Sequence, residues 1–105
     1  MRVLERDIAK KWVEGHLASH PGDYAFRIHD CPWEAKKFDY FLFTRKVVWA
    51  LEFKVDRRKS FRYQINELPL HQKKALKDFS NGKERRSKVV IYHVAGNAWH
   101  EMEVE

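Results

Sequence analysis

Leu4, Ile8, Trp12, Val13 and Leu17 recur at helical spacing from about residue 3 to 18, which predicts an opening amphipathic helix that His20-Pro21-Gly22 ends. The period then shortens to two. Tyr24, Phe26 and Ile28 alternate with Ala25, Arg27 and His29, predicting a first strand before the Asp30-Cys31-Pro32 break. Phe38 to Phe43 and Val47 to Val55 are two apolar runs separated by Thr44-Arg45-Lys46, and their simplest arrangement is an antiparallel hairpin. Residues 56–69 lose the strand pattern and become polar and basic. Leu70, Ala75, Leu76 and Phe79 predict a second helix ended by Asn81-Gly82; Lys88 to Val94 and Ala98 to Val104 follow as strands around a Gly96-Asn97 turn. The order is helix, three strands, helix, two strands. It implies an α/β fold with a central mixed sheet flanked by helices.

Within this pattern the run VVWALEFKV at 47–55 is anomalous, because it carries two opposite charges inside a β segment. Val47, Trp49, Leu51, Phe53 and Val55 share one side, as in a half-buried strand; Val48, Ala50, Glu52 and Lys54 share the other. Glu52 and Lys54 therefore lie roughly 6.5–7 Å apart on one face. Asp39, inside FDYFLF, joins that face only if it pairs opposite Glu52. Such a register needs an even loop. Arg45 and Lys46 disfavour the positive φ of a two-residue turn, so the expected loop is Thr44 to Val47 with Phe43 opposite Val48; pairing 43 with 47 would defeat the grouping.

Composition fits one domain over residues 1–105. Of the 105 residues 44% are hydrophobic, enough for a core, and 34% are charged. Net charge is +6, which favours polyanionic partners. A lone Cys31 excludes a disulfide framework and a four-thiolate zinc site, suits a reducing compartment, and reads as packing. MRVLERDIAKKW lacks the apolar run of a signal peptide or membrane span, so the expected location is cytoplasmic, without membrane association.

Two carboxylates beside a lysine on buried strands resist desolvation unless a divalent cation or tightly placed partners compensate. Oxygen ligands suit magnesium, which commonly takes one or two carboxylates plus phosphate oxygens. The chemistry indicated is hydrolysis of a nucleic-acid backbone. A structural ion pair of Asp39 or Glu52 with Lys54 or an arginine is the alternative. Beyond this site, Arg57, Arg58, Lys59 and Arg62 follow Lys54 with only Asp56 opposing them, and Lys73, Lys74 and Lys77 lie on the second helix. They read as contacts to a phosphate backbone, with Lys83, Arg85, Arg86 and Lys88 as extensions. His16 and His20 have the i,i+4 spacing of a helical zinc pair, but the H-E-x-x-H order is missing and Pro21 follows at once; they read as cations at a helix carboxyl end. Trp12, Trp33, Trp49 and Trp99 read as core or interface anchors, Trp33, Trp99 and the last strand being candidates for a dimer surface.

Asp39, the triplet Glu52-Phe53-Lys54, the segment LPLHQKKALKDF and KSF at 59–61 together resemble the PD-(D/E)XK nucleases, within them the Holliday junction resolvases of archaeal and RecU-like types. The match runs from about residue 38 to 79, and ERDIAKKWVEGHL is similar to the first family helix. Phe38 stands where the motif has proline, and the RecU stalk and amino-terminal arm are missing, so a small archaeal-like or viral resolvase is the closer expectation. The resemblance implies a restriction-endonuclease-like core and a homodimer acting on four-way DNA junctions. It implies magnesium, with manganese substituting, on Asp39, Glu52, the Phe53 carbonyl and Glu5. Lys54 would help activate the nucleophile, and Gln72 would position Lys54 or the water. Glu14 is the other candidate for the helix acid. A non-cleaving nucleic-acid-binding module of the same fold, and a nuclease acting on flaps, ends or damaged duplex, are the alternative functions.

Overall fold

A computed structural model describes residues 3–29 and 38–105. Trp33 and the whole of the expected Asp30-Cys31-Pro32 break lie outside the described residues. The first helix, α1, spans Glu5–Ser19 and buries Ile8, Ala9 and Val13. Leu4 is the N-cap and is exposed, so the apolar stripe begins one turn later than its sequence spacing suggests. Glu5 and Asp7 occupy the first turn, where carboxylates complement the helix dipole.

Among the described residues five strands follow in one sheet whose spatial order equals their chain order: β1 (Tyr24–Arg27), β2 (Tyr40–Phe43), β3 (Val48–Asp56), β4 (Arg85–His93) and β5 (Ala98–Val104). β1, β2 and β3 are antiparallel neighbours, and Phe43 pairs with Val48 across the four-residue loop. Thr44 closes that loop. Its hydroxyl donates to the Val47 carbonyl at 2.8 Å and accepts from Val47 N–H at 3.1 Å. β3 and β4 run parallel, which requires a crossover; α2 (Leu70–Phe79) makes it, preceded by a short 3-10 turn at Ile65–Glu67. β4 and β5 form the final antiparallel pair. The sheet is mixed and the architecture is α/β.

The half-buried reading of residues 47–55 is corrected here. β3 is central, so both of its faces are covered. Leu51 and Phe53 pack with Ala9 and Val13 of α1, together with Leu42 and Val90. Ala50 packs on the opposite face with Leu76 of α2, Val89 and Ile91. A parallel pair with a helix over each face needs near-continuous apolar strands, and LEF in the middle of β3 departs from that only at Glu52.

Two boundaries also differ. The second helix ends at Ser80 in extended conformation, and Gly82, at φ 75°, bends the connection two residues further on. β4 begins at Arg85 rather than Lys88, because Arg86 and Lys88 lay their cations over aromatic rings: Arg86 is 5.0 Å from the Trp49 centroid, and Lys88 is 4.5 Å from Trp49 and 5.3 Å from Trp12. Arg86 also pairs with Glu103, and Lys88 with Glu101. These two cations brace the sheet. Trp12 and Trp49 pack against the α1-side core, as anchors should, whereas Trp99 is exposed.

Candidate active site

Asp39 immediately precedes β2, and its backbone is held on both sides. Its N–H donates to the Leu51 carbonyl at 2.8 Å, and its carbonyl accepts from Ile28 N–H at 2.9 Å. The ladder pairs Tyr40 with Leu51, so one further step sets Asp39 opposite Glu52, as the even loop requires. Asp39 Oδ2 accepts a hydrogen bond from Phe53 N–H at 2.8 Å. In an extended residue N–H and C=O point to the same neighbour, which directs the Phe53 carbonyl to the edge where Asp39 sits.

Glu52 is only 2% exposed. Lys54 Nζ lies 3.2 Å from its Oε2 and 3.9 Å from Glu5 Oε1 at the start of α1. Burial, and then repulsion from the Asp39 carboxylate, outweigh the attraction of Lys54 and push the Glu52 carboxyl up to about 8. Ionised, Glu52 leaves Oε1 buried with no hydrogen-bond donor. Protonated, it can share a hydrogen bond with the Asp39 carboxyl. A buried carboxylate oxygen without a donor, next to a second carboxylate, is the donor set a hard cation satisfies. The residues therefore fit a magnesium ion.

An open cleft of about 340 Å³ adjoins these groups, lined by Asp39, Glu5 and Gln72 among others. A water occupies roughly 30 Å³ of liquid, so the cleft has room for a phosphate group with its hydration. Gln72, in the first turn of α2, lines the cleft and keeps its Oε1 buried without a partner. Five of the residues singled out in the sequence, Glu5, Asp39, Glu52, Lys54 and Gln72, thus converge at one end of the sheet. Glu14 is exposed more than two helical turns farther along α1, and Glu5 is the helix acid that meets Lys54. His71 is exposed.

Arg6 and Lys10 of α1 and Arg27 of β1 also line the cleft, and sequence reasoning passed over all three. Arg6 and Lys10 were findable, since they stand one helical turn apart beside Glu5 and Ala9. Arg27 was not, because its approach depends on the β1–β2 pairing.

The basic segment after β3 divides. Asp56, 2% exposed, accepts from the backbone N–H groups of Arg58, Arg62 and Tyr63 and from the Arg58 guanidinium. The Arg58 hydrogen bond is the main reason the Asp56 carboxyl is held well below the usual aspartate range. Arg58 also pairs with Glu67 at 3.2 Å, so this guanidinium helps to hold the loop. Arg57 donates to the Val3 carbonyl, while Lys59 and Arg62 are exposed. On α2, Lys74 pairs with Asp78 at 2.6 Å, Lys73 is half-buried and Lys77 is exposed.

No protein-family model matches the chain, and no curated protein matches it. Among solved structures it is similar to Hjc of Archaeoglobus fulgidus, a Holliday junction resolvase from an archaeal hyperthermophile, with a TM-score of 0.61. The likeness covers 90% of this chain and 74% of that one at 20% identity. The shared feature is the fold, and it is the restriction-endonuclease-like core that the sequence motif implied. Among the described residues no helix is long and apolar enough to cross a membrane.

Proposed function

We propose that this protein is a magnesium-dependent endodeoxyribonuclease that resolves four-way DNA junctions as a homodimer inside the cell. The observation that carries the reading is the meeting of buried Glu52, with its unpartnered Oε1, and Asp39 and Lys54 beside an open cleft, on the fold of a junction resolvase. Asp39, Glu52 and the Phe53 carbonyl would hold the magnesium ion, with Glu5 binding or orienting a water at its edge. When bound, magnesium supplies Lewis-acid polarisation of a phosphodiester and activation of water at neutral pH.

The chain's own groups do the rest. Lys54 Nζ offers donors to the negative charge that develops on the attacked phosphate, or orients the nucleophilic water. Its hold on Glu52 and Glu5 keeps it aimed at the metal-binding edge. Gln72 caps the arrangement from α2 by positioning Lys54 or the water. Arg6, Lys10 and Arg27 draw the phosphate backbone into the cleft, and Arg57, Lys59, Arg62, Lys73 and Lys77 extend the grip. Contacts of this kind hold backbone without reading bases, which suits selection by DNA structure. A junction with two-fold symmetry matches a dimer with the same symmetry.

The test is incubation of purified protein with a four-way junction, linear duplex and single strand, with magnesium or with chelator. Paired symmetric nicks in the junction alone, abolished by chelator, are the expected outcome. Salt-sensitive binding without any cutting would assign the chain to nucleic-acid binding instead, and cutting of linear duplex or single strand would overturn the junction preference.

A further inference from the structure

A second cluster of metal-ligating groups sits at the other end of α1. His16 and His20 occupy consecutive turns of the helix end, their rings stacked with centroids 4.2 Å apart and planes 12° from parallel. The sequence offers only these two. The fold adds a third, because Pro21-Gly22 turns the chain back, the Asp23 N–H closing the turn on the His20 carbonyl at 3.0 Å. This carries Asp23 Oδ2 to 2.7 Å from His16 Nε2. One ligating atom from each of His16, His20 and Asp23 lies within 4.8 Å of the others.

We propose that His16, His20 and Asp23 form a zinc site, with the fourth position of a tetrahedral ion open to water. Two imidazoles and one carboxylate are donors that zinc accepts, and ligands at roughly 2.0–2.1 Å around a tetrahedral ion stand roughly 3.3 Å apart. The His16–Asp23 contact needs to open by only about half an ångström to admit the ion. His16 Nε2 donates to the Asp23 carboxylate, and this proton leaves when an ion takes its place between them. His20 Nδ1 lies 3.0 Å from the His16 carbonyl oxygen; donating its proton there leaves Nε2 with a lone pair to offer a metal, the usual backbone support of a histidine ligand. Asp23 and His16 are largely shielded, with side chains 13% and 17% exposed, while His20 faces solvent and leaves a path of entry.

The site is separate from the carboxylate cleft. His16 stands eleven positions beyond Glu5 on the same helix, about 16 Å along its axis. Its donor set differs as well, since imidazole nitrogen suits zinc and its neighbours, whereas all-oxygen ligation suits magnesium. Asp23 directly precedes β1, so an ion here ties the end of α1 to the edge strand. The role is structural, a clamp on the connection between the first helix and the sheet.

The experiment uses untagged full-length protein freed of metal, titrated with zinc against a chromogenic chelator, and with cobalt(II) followed by visible absorption. One equivalent of zinc and the intense absorption of tetrahedral cobalt are expected. His20→Ala, an exposed position that leaves the core untouched, should bind zinc at least tenfold more weakly and lose the cobalt band, as should Asp23→Asn. Glu52→Gln should retain both. Zinc should raise the midpoint of thermal unfolding of the wild type and not of His20→Ala. Unchanged zinc affinity in His20→Ala and Asp23→Asn, or loss of it in Glu52→Gln, overturns the assignment.

Discussion

Glu52 gives a buried strand a pH-dependent cost. Its carboxyl, pushed up to about 8 in the folded protein from an ordinary value of 4.5, keeps its proton through a range in which the unfolded chain has released it. Stability of the metal-free protein therefore falls as pH rises from about 4.5 to about 8, and the penalty is complete above that window. Glu52→Gln removes the titration. In chelator, this variant should unfold at the same denaturant concentration as wild type near pH 4.5 and be more stable by roughly a few kcal/mol at pH 8.5; equal pH profiles for the two proteins would contradict the assignment. The positions of Asp39, Glu52 and Lys54 on one face were legible in the sequence because strand alternation and the turn chemistry of Arg45-Lys46 leave one register open. The burial of Glu52 was less legible. It depends on helices that come from distant parts of the chain to cover β3.

Elements were readable wherever periodicity was strong. α2, the hairpin, β1 and β5 follow from apolar spacing. The start of β4 did not, because Arg85, Arg86 and Ser87 read as polar; they belong to the strand through pairing with Val48, Trp49 and Ala50 and through cation–ring contacts that no local rule announces. The loop after β3 was hidden for a related reason. Asp56 appeared as one acid among many bases, yet it is the acceptor around which Arg58, Arg62 and Tyr63 are organised. Asp56→Ala should cost about 2 kcal/mol at neutral pH in a denaturant titration, since it strands the buried Tyr63 N–H and removes the partner of the Arg58 guanidinium. The depressed carboxyl means that this contribution is complete above the ordinary aspartate value of 3.8 and is lost as pH falls toward the folded value. The gap between wild type and Asp56→Ala should accordingly narrow in acid; a gap that widens would exclude the ionised carboxylate as its source.

At the scale of the whole molecule, a net charge of +6 is distributed unevenly in use: Arg58, Arg86 and Lys88 hold the fold together, while Lys59 and Arg62 remain exposed. The total was plain in the sequence and this division was not, because each structural cation is matched to an acid brought near by the loop or sheet pairing. Lys59→Ala with Arg62→Ala should lower the slope of log binding constant against log salt by about 0.9 for each phosphate no longer neutralised, equally for junction and duplex; an unchanged slope would remove them from the interface. The central claim, that Lys54 acts on a phosphodiester held over the two carboxylates, is tested most directly by single-turnover cleavage of a magnesium-bound junction with wild type and Lys54→Ala at saturating protein. The account predicts a rate at least a hundredfold lower in the variant, with junction affinity within a few fold of wild type; equal rates would contradict it.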